Sequence, residues 1–149
     1  MTCNPLDLSV AGVAGVAGVA GVAGVAGMIV DRPAGGFDFG VAKAEGQIAG
    51  LATDSQFRFG PGYATGVQPS VILAPEAQGK GFFCRLMGAI EVLARAGGAQ
   101  QMIAGVSGKN AAGIAFHAAF GHDEIAPVSE AGFKFGRGLD LVLLRKFLT

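Results

Sequence analysis

Apolar positions follow two rhythms along this chain. Between Asp7 and Asp31 no charge occurs, and six copies of Val-Ala-Gly run from Val10 to Gly27 with a period of three. That period throws successive valines to opposite faces of a strand, whereas a half-buried strand alternates with period two. The run from Leu8 to Val30 is long enough to cross a bilayer. No Lys or Arg flanks its N-terminal side and no Trp or Tyr marks its edges. A glycine at every third position costs roughly 1 kcal/mol each relative to Ala in a helix. Residues 1–30 therefore read as a low-complexity segment, an arm or a helix packed on the domain, and a membrane role is disfavoured. A collagen-like reading fails because the repeat contains no Pro.

From residue 31 to 149 the pattern is that of one α/β domain. "FDFGVAKAEGQIAGLAT" reads as a hairpin, with strands over Phe37–Ala42 and Gln47–Thr53 and a turn at "KAEG". "VQPSVILA" is a third strand over Val67–Ala74. Gly81–Arg95 is a helix, since Phe82, Leu86, Ile90 and Leu93 fall on one face and Arg85, Glu91 and Arg95 point away from it. Gly97-Gly98 ends it. "QQMIAGV" is a buried strand and "SGKNAAGIAFHAAFG" a second helix. "DEIAPV" and "LDLVLLRKFL" are the last strands, with "SEAGFKFGRG" as the loop between them. The order β-β-β-α-β-α-β-β predicts a mixed sheet with helices in layers.

Composition narrows the function. Apolar residues make up 51% of the chain, charged residues 15%, and 11 acidic residues balance 11 basic ones. With no basic stripe to neutralise phosphates, nucleic acid is not an expected partner. The two histidines, His117 and His122, are five apart and share no helix face, and no pattern of Cys or carboxylate completes a zinc site, so no metal is expected. The two cysteines, Cys3 and Cys84, do not read as a disulfide framework in a chain without a secretory signal, and a cytoplasmic location is expected. Cys84 falls in a first helical turn, where a thiol can be acidified. The plainer reading is a small packed residue.

The chemistry-bearing stretch is "VILAPEAQGKGFFCRL", Val71–Leu86. A strand, a Gly-rich turn and a helix in that order make an anion seat, because the first amides of a helix lack internal acceptors and carry the positive end of its dipole. Gly79 and Gly81 let the main chain approach a phosphate and Lys80 adds charge. By itself such a turn is more often a connection. It is neither the P-loop nor the dinucleotide fingerprint.

Three collinear strings, "VILAPEAQGKG", "QQMIAGVSGKNAAGIAFHAAFG" and "AGFKFGRGLDLVLL", resemble the later motifs of the GCN5-related N-acetyltransferases (GNAT). They look most like the phosphinothricin/methionine sulfoximine (L-amino acid) acetyltransferase group, over about Glu45–Leu148. The resemblance implies a GNAT-like acyl-CoA N-acyltransferase fold, acetyl-CoA as cosubstrate, a small primary amine as acceptor, and a homodimer as a plausible assembly. It places Val71, Ile72 and Leu73 beside the pantetheine arm, with the Leu73 N–H polarising the thioester carbonyl. It places Gln78, Gly79, Lys80, Gly81, Phe82, Phe83 and Cys84 around the pyrophosphate, and matches Asn110 and His117 to further cofactor positions. Asn110 reads equally well as a helix cap.

The strings also depart from the pattern. Gln68 stands where the family commonly carries a Glu that serves the acceptor amine, and an amide cannot act as a base near neutral pH. Phe83 replaces Gly or Ala, His122 replaces Phe, and Gly138 replaces an aromatic. The Val-Ala-Gly repeat stands where the family's first strand and helices shape the acceptor pocket, so the N-terminal part is atypical or incomplete.

Overall fold

The structure, a computed structural model, describes residues 39–149. The repeat, Cys3 and the start of the expected first strand lie outside the described residues. The elements are β1 (Phe39–Ala44), β2 (Gln47–Gln56), β3 (Gly66–Leu73), α1 (Phe82–Ala96), β4 (Gln101–Ser107), α2 (Ala111–Ala119), β5 (Asp123–Lys134) and β6 (Arg137–Phe147). Short 3-10 turns cover Pro61–Tyr63 and Pro75–Ala77. The expected order of strands and helices is the observed one. The strands form one mixed sheet in the order β1-β2-β3-β4-β6-β5. Strands β3 and β4 run parallel, paired at Gly66↔Gln101 and Val67↔Met102. A parallel pair needs a crossover, and α1 supplies it.

The chain divides into two compact units: residues up to Ser55 with Pro69–Gly98, and Gln56–Gln68 with Ala99–Thr149. In the first, β1 and β2 form an antiparallel hairpin from Phe39↔Thr53 to Ala44↔Gln47. Its two-residue turn has Glu45 and Gly46 both left-handed, at φ 51° and 78°. Two left-handed residues match the twist of the flanking strands. Leu51, Leu86, Met87 and Ile90 are fully buried there. The apolar face of α1 is Cys84, Leu86, Met87, Ile90 and Ala94. Leu93, expected inward, is exposed instead. The i,i+4 row 86-90-94 faces the core, and Leu93 lies beside that row.

In the second unit β4 pairs antiparallel with β6 over seven positions, from Gln101↔Phe147 to Ser107↔Leu141. Val106, Val142 and Leu144 are buried under Ile114 of α2. The expected loop over residues 129–138 is not a loop. β5 continues through it to Lys134, and Phe135-Gly136, at φ 56° and 72°, turn directly into β6. The ladder absorbs the turn-forming residues as a register shift between Val128 and Gly132. Within that bulge Glu130 is left-handed at φ 51°, and its N–H donates to Asp140 Oδ1 at 2.9 Å. A side chain at Gly138 would stand 2.7 Å from Glu130 Cγ. Glu130 thus takes the space that an aromatic at position 138 would need.

Candidate active site

The Gly-rich turn belongs to the first unit. After the Pro75–Ala77 turn, Gly79 and Gly81 adopt φ 72° and 79°, a region L side chains avoid. A Cβ built at either glycine meets nothing within 4 Å. The glycines are therefore there for their backbone angle and for the open space above them, not for tight packing. Gly81 is the N-cap of α1 and has no side chain with which to cap it, and the first turn holds no acidic residue. Nothing in that turn offsets the positive end of the helix. The fit is that of an anion cradle, and Lys80 stands exposed between the two glycines. Phe83 does not displace the helix start: α1 opens at Phe82, immediately after Gly81, with both phenylalanines half-buried. The Arg85 guanidinium lies 5.7 Å over the Phe82 ring.

A cavity of about 370 Å³ adjoins the turn. Glu45, Gln47 and Ile48 of the β1–β2 hairpin line one part, and Glu76, Lys80 and Phe82 line another. Glu76 faces this cavity, whereas Asp54 is buried in β2.

Strand β3 leads into the turn. Ala74 N–H donates to Ala49 O on β2 at 2.8 Å. Main-chain groups alternate in direction along a strand, so the N–H of Leu73 points to the edge away from β2. Gly50 of β2 backs directly on this segment: a Cβ there would stand 2.6 Å from Leu73 Cδ2 and 2.7 Å from the Ile72 carbonyl oxygen. Sequence reading missed Gly50. The signal was a glycine inside an otherwise apolar strand, which marks a close backbone approach.

Cys84 is the packed residue of the plainer reading, but the expectation that the cysteines form no disulfide is corrected. It is disulfide-bonded and only 7% exposed. Its sulfur is committed to a covalent bond and is not a thiol nucleophile, so any cofactor contact it makes is through its main chain.

In the second unit, Gln68 of β3 reaches β4. Its Nε2 lies 3.8 Å from where a Cβ of Gly105 would be. Asn110 is the N-cap of α2, with Oδ1 accepting from Gly113 N–H at 2.9 Å. A Cβ at Gly113 would come within 2.6 Å of Asn110 Nδ2, so the cap needs glycine there. His117 sits within α2, 6% exposed, edge-on to the rings of Phe116 and His122 at 5.5 and 4.9 Å. Burial pushes its pKa below the usual imidazole value. His122 is pushed down to about 4, first by burial and then by the neighbouring charges of His117 and Lys146. Both ring nitrogens of His122 are buried without a hydrogen-bond partner. No group of three potential metal ligands occurs among the described residues.

A profile of the Acetyltransferase (GNAT) family matches residues 17–122. This chain belongs to the GNAT family. The GNAT chain is 34% identical over 110 residues to an L-methionine sulfoximine/L-methionine sulfone acetyltransferase of Salmonella typhimurium, covering 74% of this chain and 64% of that protein. It is 32% identical over 115 residues to a phosphinothricin N-acetyltransferase of Alcaligenes faecalis, covering 76% and 58%. The matched part is thus a little under two thirds of these relatives' lengths. Among solved structures, a Sinorhizobium meliloti phosphinothricin acetyltransferase in complex with acetyl-CoA superposes with a TM-score of 0.87 at 27% identity, over 97% of this chain and 89% of that one. The putative acetyltransferase YncA of Salmonella typhimurium, with its cofactor acetyl-CoA, gives 0.86 at 27% identity, over 98% and 95%. The GNAT-like sheet expected from the sequence is the observed fold. No helix among the described residues is long and apolar enough to cross a membrane.

Proposed function

We propose that this GNAT chain moves an acetyl group from acetyl-CoA to the primary amine of a small amino-acid-like acceptor, by direct attack of the amine. The carrying observation is the uncapped, acid-lacking helix start behind two left-handed glycines, on a chain whose relatives bear such names. Acetyl-CoA would supply an acetyl group activated as a thioester. Gln78, Gly79, Lys80, Gly81 and the main chain of Phe82, Phe83 and Cys84 hold its pyrophosphate by amides and one cation. Val71, Ile72 and Leu73 present strand edges to the pantetheine arm. The Leu73 N–H donates to the thioester oxygen as negative charge develops there. Asn110 orders the start of α2, with its amide group as a further cofactor contact. The buried ring of His117 fixes the body of α2, and its cofactor role is through that helix.

The acceptor must reach the carbonyl as a neutral amine. From the neutral amine the C–N bond forms, the C–S bond breaks and the one proton that the nitrogen loses ends on the CoA sulfur, which leaves as the thiol; the proton that an ammonium form sheds beforehand goes to solvent. Gln68 orients the amine or a water by hydrogen bonds and takes no proton. A second reading, a homologue that binds CoA without turnover, is favoured by Gln68 alone. Calorimetry with acetyl-CoA beside an acetyl-CoA-dependent thiol-release assay over a panel of amines separates the two, since binding without release supports the second. Under the first reading Gln68→Glu raises kcat by about tenfold or more at neutral pH, through a base within reach. An unchanged rate removes Gln68 as the limiting residue.

The proposal includes a homodimer and a cytoplasmic location. The dimer is supported by Phe133 and Phe135, 78% and 79% exposed at the β5–β6 turn. The location is supported by the donor, an intracellular metabolite.

A further inference from the structure

Gly105 occupies the middle of β4, and neither its backbone angle nor a close backbone atom requires a glycine there. Its φ lies outside the left-handed region, so any residue could adopt its backbone. It is solvent-exposed, although Ala104 and Val106 on either side are buried. The three atoms that a Cβ there would meet first all belong to side chains: Leu141 Cδ1 at 3.3 Å, Gln68 Nε2 at 3.8 Å and Leu141 Cδ2 at 3.9 Å. Contrast Gly50, where a Cβ would strike a carbonyl oxygen. A glycine inside a strand weakens it, and it often marks a place where a ligand approaches the main chain closely. Side chains alternate along a strand, and Val106 packs beneath Ile114 of α2. Gly105 therefore opens the face of β4 away from α2. What stands over that gap is an amide on one side and two methyl groups on the other.

We propose that Gly105 is the floor of the acceptor subsite and sets acceptor size. The amine lies against the β4 main chain, its polar edge on the Gln68 amide and its hydrocarbon arm on Leu141. Such a slot takes slender primary amines with one polar and one apolar edge, and it rejects those branched at the second carbon from the amine. The inference rests on the acetyltransferase reading and deepens it.

The test uses the full chain as wild type, Gly105→Ala and Gly105→Val, with thiol release measured over a graded series of α-amino amides (glycinamide, alaninamide, valinamide). The expected result is an acceptor KM raised roughly tenfold for each step in size at position 105, because one methylene in a fitted pocket carries about that discrimination. The rise is steepest for the branched acceptor, and the KM for acetyl-CoA does not move. Wild-type turnover with acceptor order and KM unchanged in a folded Gly105→Val protein overturns the proposal alone. A matching rise in the acetyl-CoA KM overturns it too. A wild type that turns over no amine at all overturns the acetyltransferase reading and this inference with it.

Discussion

His122 is the residue whose chemistry is most at odds with its surroundings. Both of its ring nitrogens are buried without partners, and its native pKa is about 4. In the unfolded chain it returns to about 6.5. The unfolded state therefore binds a proton between these two values and the native state does not. Stability is at its full value above about pH 6.5 and falls as the pH drops toward 4, by up to about 3 kcal/mol from this residue. The variant His122→Phe restores the ring type the family uses there. It should flatten that part of the pH–stability curve in denaturant titrations and add about 1 kcal/mol near pH 7 by removing the buried polar atoms. An unchanged slope would show that another group titrates instead. Residues of this kind are legible only in part. The sequence shows that His122 is out of pattern, and only packing shows that it is neutral. Cys84 is the same case, since two cysteines far apart in sequence give no local sign that either is bonded.

At the scale of elements, strand β3 depends on the strand behind it. Gly50 leaves room for the Ile72 carbonyl and the Leu73 side chain, and a methyl there would overlap both. Gly50→Ala should cost about 1–3 kcal/mol by overpacking. It should also lower kcat by displacing the Leu73 N–H, with amine KM little changed. Thermal melts and steady-state kinetics read the two effects separately, and loss of stability with normal kcat would remove Leu73 from the mechanism. Most elements were readable from periodicity because local and tertiary preferences agree in them. They disagree at residues 129–138, where Ser129, Gly132, Gly136 and Gly138 all favour turns. Pairing with β6 wins, and the bulge at Glu130 takes up the misfit. In α1 the expected row ending at Leu93 was one residue off, because the sheet is met by the row ending at Ala94.

For the whole molecule, charge and surface decide assembly. With a net charge of zero there is little long-range repulsion between copies. The exposed Phe133 and Phe135 give a patch for contact. The double substitution Phe133→Ser with Phe135→Ser should convert a dimer to a monomer in light scattering, with melting little changed because neither ring supports the core. A wild type that runs as a monomer at high micromolar concentration would remove the dimer. The candidate cofactor seat was legible because it depends on local backbone chemistry, Gly79 and Gly81 above all. The acceptor side was not, because Gly105 and Leu141 meet only when strands far apart in sequence pair.

The β4–β6 ladder also bears on how the protein is made. Strand β4 leaves the ribosome well before its antiparallel partner β6. Until Leu141–Phe147 arrive, β4 presents an unsatisfied edge and an uncovered apolar face, the condition in which nascent chains stick to one another. A premature stop after Gly138 would therefore remove few residues and yet leave the second unit without its central pairing. Such a truncation is expected to sediment with aggregates when expressed, and not to persist as a soluble, weakened enzyme.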